Sequence, residues 1–304
     1  MYKEPFLINR SNIYIKSNYI INEDQSIMKK NNVYVFEDRG LLYLNGEDVK
    51  EFLQNLITND IEKVTDEMSC FAALLTPQGK YLFDFLIIKH KGGYFLDCEK
   101  KNIDELYKKL ALYKLRSKVE ILNLSNEFVV AGISREKFLS FENSKDIEGF
   151  TFKYREDPIF LDPRLKKLGA RLIINLEKLY LSLKKLELKT TNVEDYYNLS
   201  HKLGISQIDN YNLQNKIFGI ECNFEEMNGI DFKKGCYVGQ ENTARIKLKN
   251  KLNKKLFAIK IIEGNLNSDE IFLNEKEVGK LLIKKENPFA IIKIQNDMVR
   301  LEKI

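Results

Sequence analysis

Two β-prone runs, Cys70 to Leu75 and Tyr81 to Lys89, flank the pentapeptide Thr76-Pro77-Gln78-Gly79-Lys80, and this arrangement restricts the fold more than any other. Proline presets φ for a turn and glycine supplies the conformational freedom to complete it, so the two runs read as an antiparallel hairpin. Lys91-Gly92-Gly93 then turns the chain into a third strand, Tyr94 to Cys98. Upstream, Leu41 to Leu44 reads as a short strand. It is followed by a helix from about Glu47, with Val49, Phe52, Leu53 and Leu56 at helical spacing. Hairpins mixed with crossing helices make the class α+β.

Asn102 stands where an N-cap would open a helix with an Ile103, Leu106, Leu110 and Tyr113 stripe, and Val119 to Leu124 returns to strand. Residues 1–127 therefore read as one α+β domain. A second α+β unit spans 128–210; within it Leu172 to Leu188 fits helix or strand equally, and Gly204 stops a helix containing Tyr196 to Leu203. A glycine-bearing segment, 211–250, leads to a last domain, 251–304. There the short strands Leu256 to Ile262, Ile271 to Leu273, Val278 to Ile283 and Ala290 to Ile294 are spaced as in a small barrel or sandwich.

Composition narrows the function. With 304 residues, 44% hydrophobic, the chain can bury one large core or several smaller ones. Its apolar runs fall far short of the roughly 20 residues of a membrane span, so a soluble protein with no membrane partner is expected. Glu4, Glu23 and Asp24 interrupt the N-terminal region and argue against a secretory signal. The four cysteines, at 70, 98, 222 and 236, lack the paired spacing of a disulfide framework or metal knuckle, which fits free thiols in a reducing cytoplasm. A net charge of +5 arises from 49 basic and 44 acidic side chains. The basic stretch Lys247 to Lys255 holds no aromatic residue for base stacking, so no nucleic-acid partner is implied.

The segment that carries chemistry is Lys234-Gly235-Cys236-Tyr237-Val238-Gly239-Gln240-Glu241. Nearby ammonium groups favour a thiolate at Cys236. The glycines permit close backbone approach, and Gln240 and Glu241 suit hydrogen bonding to a heterocycle. A tight turn around a small buried thiol is an equally open reading of the same residues. Neither His90 nor His201 adjoins a cysteine and no Cys-x-x-Cys occurs, so no resident metal site is expected. Phosphate-cradling glycine loops are absent. Asp38-Arg39-Gly40 reads as a polar turn or as a carboxylate facing a ligand. Asn55, Thr58, Asn59 and Asp60 read by default as helix terminators, while Arg116, Lys118 and Arg245 read as surface or ion-pair residues.

The signature from Lys234 to Glu241, extended by Ala244-Arg245, resembles that of the YgfZ family of folate-binding, iron–sulfur cluster maintenance proteins. Most of the chain continues the likeness. Asp38-Arg39-Gly40, Leu44 to Asp48, Phe52-Leu53-Gln54 and Thr58-Asn59-Asp60 look like the N-terminal block that this family shares with the glycine-cleavage aminomethyltransferases, or T-proteins. Ala72 to Lys80, Tyr113 to Val119, Asp162-Pro163-Arg164, Leu168 to Arg171 and Val278-Gly279 extend it. Two departures stand out: Ser200 where relatives usually carry an arginine, and Gly219-Ile220-Glu221 where they carry a proline.

The resemblance implies three mixed α/β domains around a central channel, closing with a small C-terminal β-barrel. It implies tetrahydrofolate or a derivative as cofactor, and iron–sulfur client or assembly proteins as partners. Cys236, Lys234 and Asp38 match the residues tied to function, and Asn59, Gln240, Glu241 and Arg245 are expected in the folate pocket wall. The alternative is a one-carbon enzyme of the aminomethyltransferase type, with Asp38 or Asp60 orienting the folate and assisting proton transfer.

Overall fold

The computed structural model describes residues 7–8, 13–15, 28–249, 252–261, 269–273, 276–285 and 288–294. The N-terminal residues Glu4, Glu23 and Asp24, and Lys251 of the basic stretch, lie outside them. In chain order, β1 (Leu7–Ile8), β2 (Ile13–Ile15), β3 (Asn32–Phe36) and β4 (Arg39–Asn45) precede α1 (Val49–Leu56). The hairpin is β5 (Cys70–Leu75) and β6 (Tyr81–His90), followed by β7 (Gly93–Glu99), α2 (Ile103–Lys114) and β8 (Glu120–Asn123). Next come β9 (Phe128–Ile133), α3 (Arg135–Leu139), β10 (Thr151–Tyr154), β11 (Asp157–Leu161) and β12 (Ala170–Asn175). Then α4 (Leu179–Lys185), β13 (Lys189–Thr190), α5 (Val193–Lys202) and α6 (Gln240–Leu248) lead to β14 (Lys254–Ile261), β15 (Glu270–Leu273), β16 (Lys276–Ile283) and β17 (Phe289–Lys293).

The strands form three sheets. The first, in order β5-β6-β7-β4-β8, is antiparallel throughout. Strand alternation gives it two apolar faces. Leu42, Leu44, Ala72, Leu74, Phe85 and Leu96 pack on α1 and α2, whereas Leu41, Phe71, Ala73, Leu75 and Phe95 turn to the molecular centre. The second sheet, β10-β11-β12-β9-β3-β13, repeats the design. Val33, Ala131, Ile159 and Leu172 pack with Phe138 of α3, while Tyr34, Phe36, Val130 and Ile173 join the central core. The ambiguous leucine-rich segment resolves into both alternatives, strand β12 and then helix α4.

The third sheet, β1-β2-β14-β17-β16-β15, corrects one expectation: it is open, not a small C-terminal β-barrel. Closure requires the edge strands to pair with each other. Here the edges are a two-residue and a four-residue strand, and among the described residues they pair only inward. Asn102 does hold the N-cap position of α2, but without the bond that the residue type suggests. It lies in helical conformation behind a short 3₁₀ turn with no side-chain cap bond, its amide facing Glu99.

Where the first two sheets face each other, a buried charge cluster is set into the apolar contact. Arg39 Nε donates to Asp97 Oδ1 at 2.6 Å, and Arg171 of the second sheet donates to the other oxygen of the same carboxylate. Asp162 accepts from Arg164 Nε at 2.9 Å and Nη2 at 2.7 Å, and Gln207 Oε1 accepts from Arg171 at 2.8 Å. All six residues are buried. Burial alone would raise the Asp162 carboxyl, but Arg164 and Arg171 hold it below the ordinary carboxylate value.

Removing one partner from such a cluster strands the others without counter-charge. Asp97→Ala is expected to cost about 3–5 kcal/mol in urea unfolding. The Asp162 contribution is fully present above about pH 4, the unfolded carboxylate value, and is lost as pH falls through its depressed folded value. Stability measured against pH should therefore fall more gently on the acid side in Asp162→Asn than in the parent chain.

Candidate functional site

The amphipathic helix α1 buries Val49, Phe52, Leu53 and Leu56 and carries no basic residue in its last turn. Its final carbonyl groups have no partner within the helix and must find one elsewhere. Lys234 supplies it. The buried Nζ donates to Gln54 O at 2.7 Å, Ile57 O at 2.8 Å and Asn59 O at 2.8 Å, using all three of its N–H bonds. Burial draws this amine down to about 8, against the opposing pull of Asp60 and Asp231.

The surrounding backbone is laced to the same stretch. Asp231 N donates to Thr58 O at 3.0 Å, Val238 N to Asn55 O at 3.2 Å, and Thr58 Oγ1 to Gly229 O at 2.6 Å. Asn59 donates both amide hydrogens at 2.7 Å, to Phe71 O and Asn228 O, while its Oδ1 accepts from Asp60 N and Lys63 Nζ. Its polar capacity is consumed within the chain. Asp60 Oδ1 accepts from Glu62 N at 3.0 Å and caps the short 3₁₀ turn Ile61–Lys63. These residues do more than end a helix: they are the strip on which the signature segment lies.

Gly239 closes the segment and opens α6. Its φ is +86°, and a Cβ there would stand 2.5 Å from the Thr76 carbonyl oxygen and 3.1 Å from Gly79 Cα. The hairpin turn thus rests directly on the signature, and Asn242 Nδ2 reinforces the contact by donating to Gln78 O at 2.8 Å. Gly235 is different, with nothing within 4 Å of an added Cβ.

Cys236 is exposed, whereas Cys70, Cys98 and Cys222 are buried. Burial pushes Cys70 and Cys98 up to about 12, so these thiols stay protonated. Cys236 borders an open groove of about 580 Å³ that it shares with Gln240, Glu241, Ala244 and Arg245. Leu248 and Lys249 continue the wall. Lys234 lies beneath the loop, its amine 5.2 Å from the centre of the buried Tyr237 ring. Asp38 is placed with other partners: half-buried in the turn between β3 and β4, it accepts a hydrogen bond from the Tyr197 hydroxyl next to the central charge cluster. Ser200, the arginine departure, is buried in α5 and bonds Ile205 O.

Of the expected site residues, the structure brings Cys236, Gln240, Glu241 and Arg245 to one groove and joins Lys234 to Asn59 beneath it. Sequence reasoning missed Lys249, which a four-residue spacing from Arg245 along α6 would have found.

Three substitutions test this construction. Lys234→Met is expected to cost about 2–4 kcal/mol in denaturant unfolding, because it leaves the carbonyl groups of Gln54, Ile57 and Asn59 without their charged donor. Gly239→Ala is expected to cost about 2 kcal/mol or more, and Gly235→Ala less than about 0.5 kcal/mol, since only the former strains the backbone and meets a carbonyl oxygen.

No protein-family model matches the chain. It is 28% identical, over 82% of its length, to the mitochondrial iron–sulfur cluster assembly factor IBA57 homolog of Dictyostelium discoideum. It is 29% identical, over 72% of its length, to the tRNA-modifying protein YgfZ of Aliivibrio fischeri, covering 67% of that protein. The chain spans between 51% and 68% of the length of the first curated relatives it matches. Among solved structures, the glycine cleavage system aminomethyltransferase T of Bartonella henselae superimposes with a TM-score of 0.71 at 12% identity, over 89% of this chain and 79% of that one. That likeness shows the fold. The relatives of this chain are named as IBA57 iron–sulfur cluster assembly factors and as YgfZ, and its fold is of the aminomethyltransferase type.

Proposed function

We propose that the chain is a folate-binding accessory factor for the assembly or repair of iron–sulfur clusters in client enzymes. The observation that carries this reading is the exposed Cys236 thiol, held on an anchored loop at a groove whose other groups suit a heterocyclic ligand. The relatives named as cluster assembly factors point the same way.

The groove chemistry fits a reduced folate. Gln240 offers both an amide donor and an acceptor, Glu241 accepts from ring N–H groups, and Ala244 and Leu248 give apolar contact. A bound tetrahydrofolate would supply one-carbon or reducing chemistry beside the thiol. Cys236 stands on the loop that leads into α6, exposed at the edge of the groove. In this reading Cys236 meets the cluster-related species transiently. Among the described residues no three metal-capable side chains converge, so the remaining ligands come from the client or from an assembly protein.

Lys234 and Asp38 act here as positioning residues, the first through α1 and the second through Tyr197. Nothing favours the one-carbon transferase alternative specifically: Asp38 is engaged by Tyr197 and Asp60 by the backbone it caps. The name of the bacterial relative mentions tRNA, but in this chain Lys247 and Lys255 pair with Glu225 and Glu226, which thins the basic stretch. No helix among the described residues is long and apolar enough to cross a membrane. Four free thiols suit a reducing compartment such as the cytoplasm.

Anaerobic titration calorimetry on the parent chain and Cys236→Ala is expected to show comparable tetrahydrofolate binding. In cells lacking the protein, the parent chain should restore an iron–sulfur enzyme activity and Cys236→Ala should not. Absence of folate binding, or full restoration by Cys236→Ala, would overturn the proposal.

A further inference from the structure

Helix α2 packs Ile103, Leu106 and Leu110 on the first sheet, and its other side faces solvent. That outer side is not uniformly polar. Asp104, Lys108 and Leu112 form one row at four-residue spacing and Tyr107, Ala111 and Leu115 form the next, each row rising about 12 Å along the axis. Leu112 is 65% exposed, Leu115 87% and Tyr107 39%.

Leu115 stands out among them. It ends the helix with φ +44° and ψ −107°, on the side of the backbone map that glycine enters freely and a residue with a Cβ enters at a cost. Ser117 N closes the turn by donating to Lys114 O at 2.8 Å. A glycine would relieve the backbone at this position and a polar residue would suit the water, yet the chain places a leucine there. Packing within the molecule gains little from so exposed a side chain, so its contact lies outside.

The charges around the strip select the kind of contact. Lys118 is engaged by Glu47, but among the described residues no carboxylate forms an ion pair with Lys108, Lys114 or Arg116. Asp104 and Glu105, at the opposite end of α2, are likewise outside any ion pair among the described residues. The face thus runs from acidic through apolar to basic. A bilayer of anionic headgroups would be repelled by one end while attracted to the other, whereas a protein segment can reverse its own charges along its length.

We propose that the outer face of α2 docks an amphipathic helix of a partner protein, its apolar side on Tyr107, Leu112 and Leu115 and its carboxylates opposite Lys108, Lys114 and Arg116. Ala111, in the middle of the strip, has little bulk and lets the two helix axes approach closely. None of these residues lines the Cys236 groove, so the surface is separate from the folate reading and goes beyond it.

The probe is a helical peptide of leucine and glutamate in amphipathic order, compared by fluorescence anisotropy with the same peptide carrying lysine in place of glutamate, on the full chain. The parent chain is expected to bind the glutamate peptide at least about fivefold more tightly at low salt, and the preference should shrink as salt screens the exposed charges. Leu115→Gly should melt at or above the parent temperature, because glycine accepts the φ of this turn, and should still bind the glutamate peptide several-fold more weakly. Arg116→Gln should reduce the preference for glutamate over lysine. Cys236 alkylation should proceed at the parent rate in both variants. Equal affinity of the parent chain for the two peptides, or parent-like affinity in Leu115→Gly, overturns the proposal. Sedimentation of the parent chain with phosphatidylserine vesicles, lost in Leu115→Gly and accompanied by no peptide binding, assigns the face to a lipid surface and overturns it as well.

Discussion

Much of this architecture depends on one buried carboxylate. Asp97 projects from the central face of the first sheet and is shared by Arg39 of the same sheet and Arg171 of the second, so one side chain joins two layers. Three arginines face two aspartates in this cluster, with Gln207 bridging Arg164 and Arg171. Buried ion pairs contribute little net stability over well-packed apolar groups, but they are demanding about geometry. Their value here is registry: the apolar faces around them tolerate small sliding, whereas a shared carboxylate flanked by two guanidinium forks does not.

The site obeys the same logic at smaller scale. An exposed thiol on a free loop would sample many positions and lose entropy each time it met a partner. The Lys234 ammonium on the carbonyl groups of Gln54, Ile57 and Asn59 at and just past the end of α1, together with the contact of Gly239 on the hairpin turn, removes most of that freedom without burying Cys236. The signature therefore divides its labour. Lys234 and Gly239 hold, Cys236 is presented, and Gln240, Glu241 and Arg245 line the approach.

What could be read from the sequence was whatever local chemistry decides. The β5–β6 hairpin followed from Pro77 and Gly79, and the four buried positions of α1 are those its spacing marks. The segment from Leu172 to Leu188 was undecidable because strand and helix occur there in succession, each too short to set a period. A short strand before Asp38 escaped notice; β3 is completed by pairing with β9, about a hundred residues later. The charge cluster was invisible for the same reason, since Asp97 lies 58 residues from Arg39 and 74 from Arg171. Proximity of Lys234 to Cys236 in sequence pointed to activation of the thiol, whereas its hydrogen bonds run to α1.

The clamp on α1 also bears on how the molecule is made. Lys234 reaches carbonyl groups 175 to 180 residues earlier in the chain, and Thr58 reaches Gly229 across 171. Contacts of such separation form late, after the sheets they connect. During synthesis the first sheet and α1 can fold while the signature is still unmade, so the C-terminal end of that helix waits uncapped until the loop arrives. A chain that unfolds partway therefore carries the cysteine without its setting, and an ordered Cys236 loop reports that the signature segment has found the end of α1.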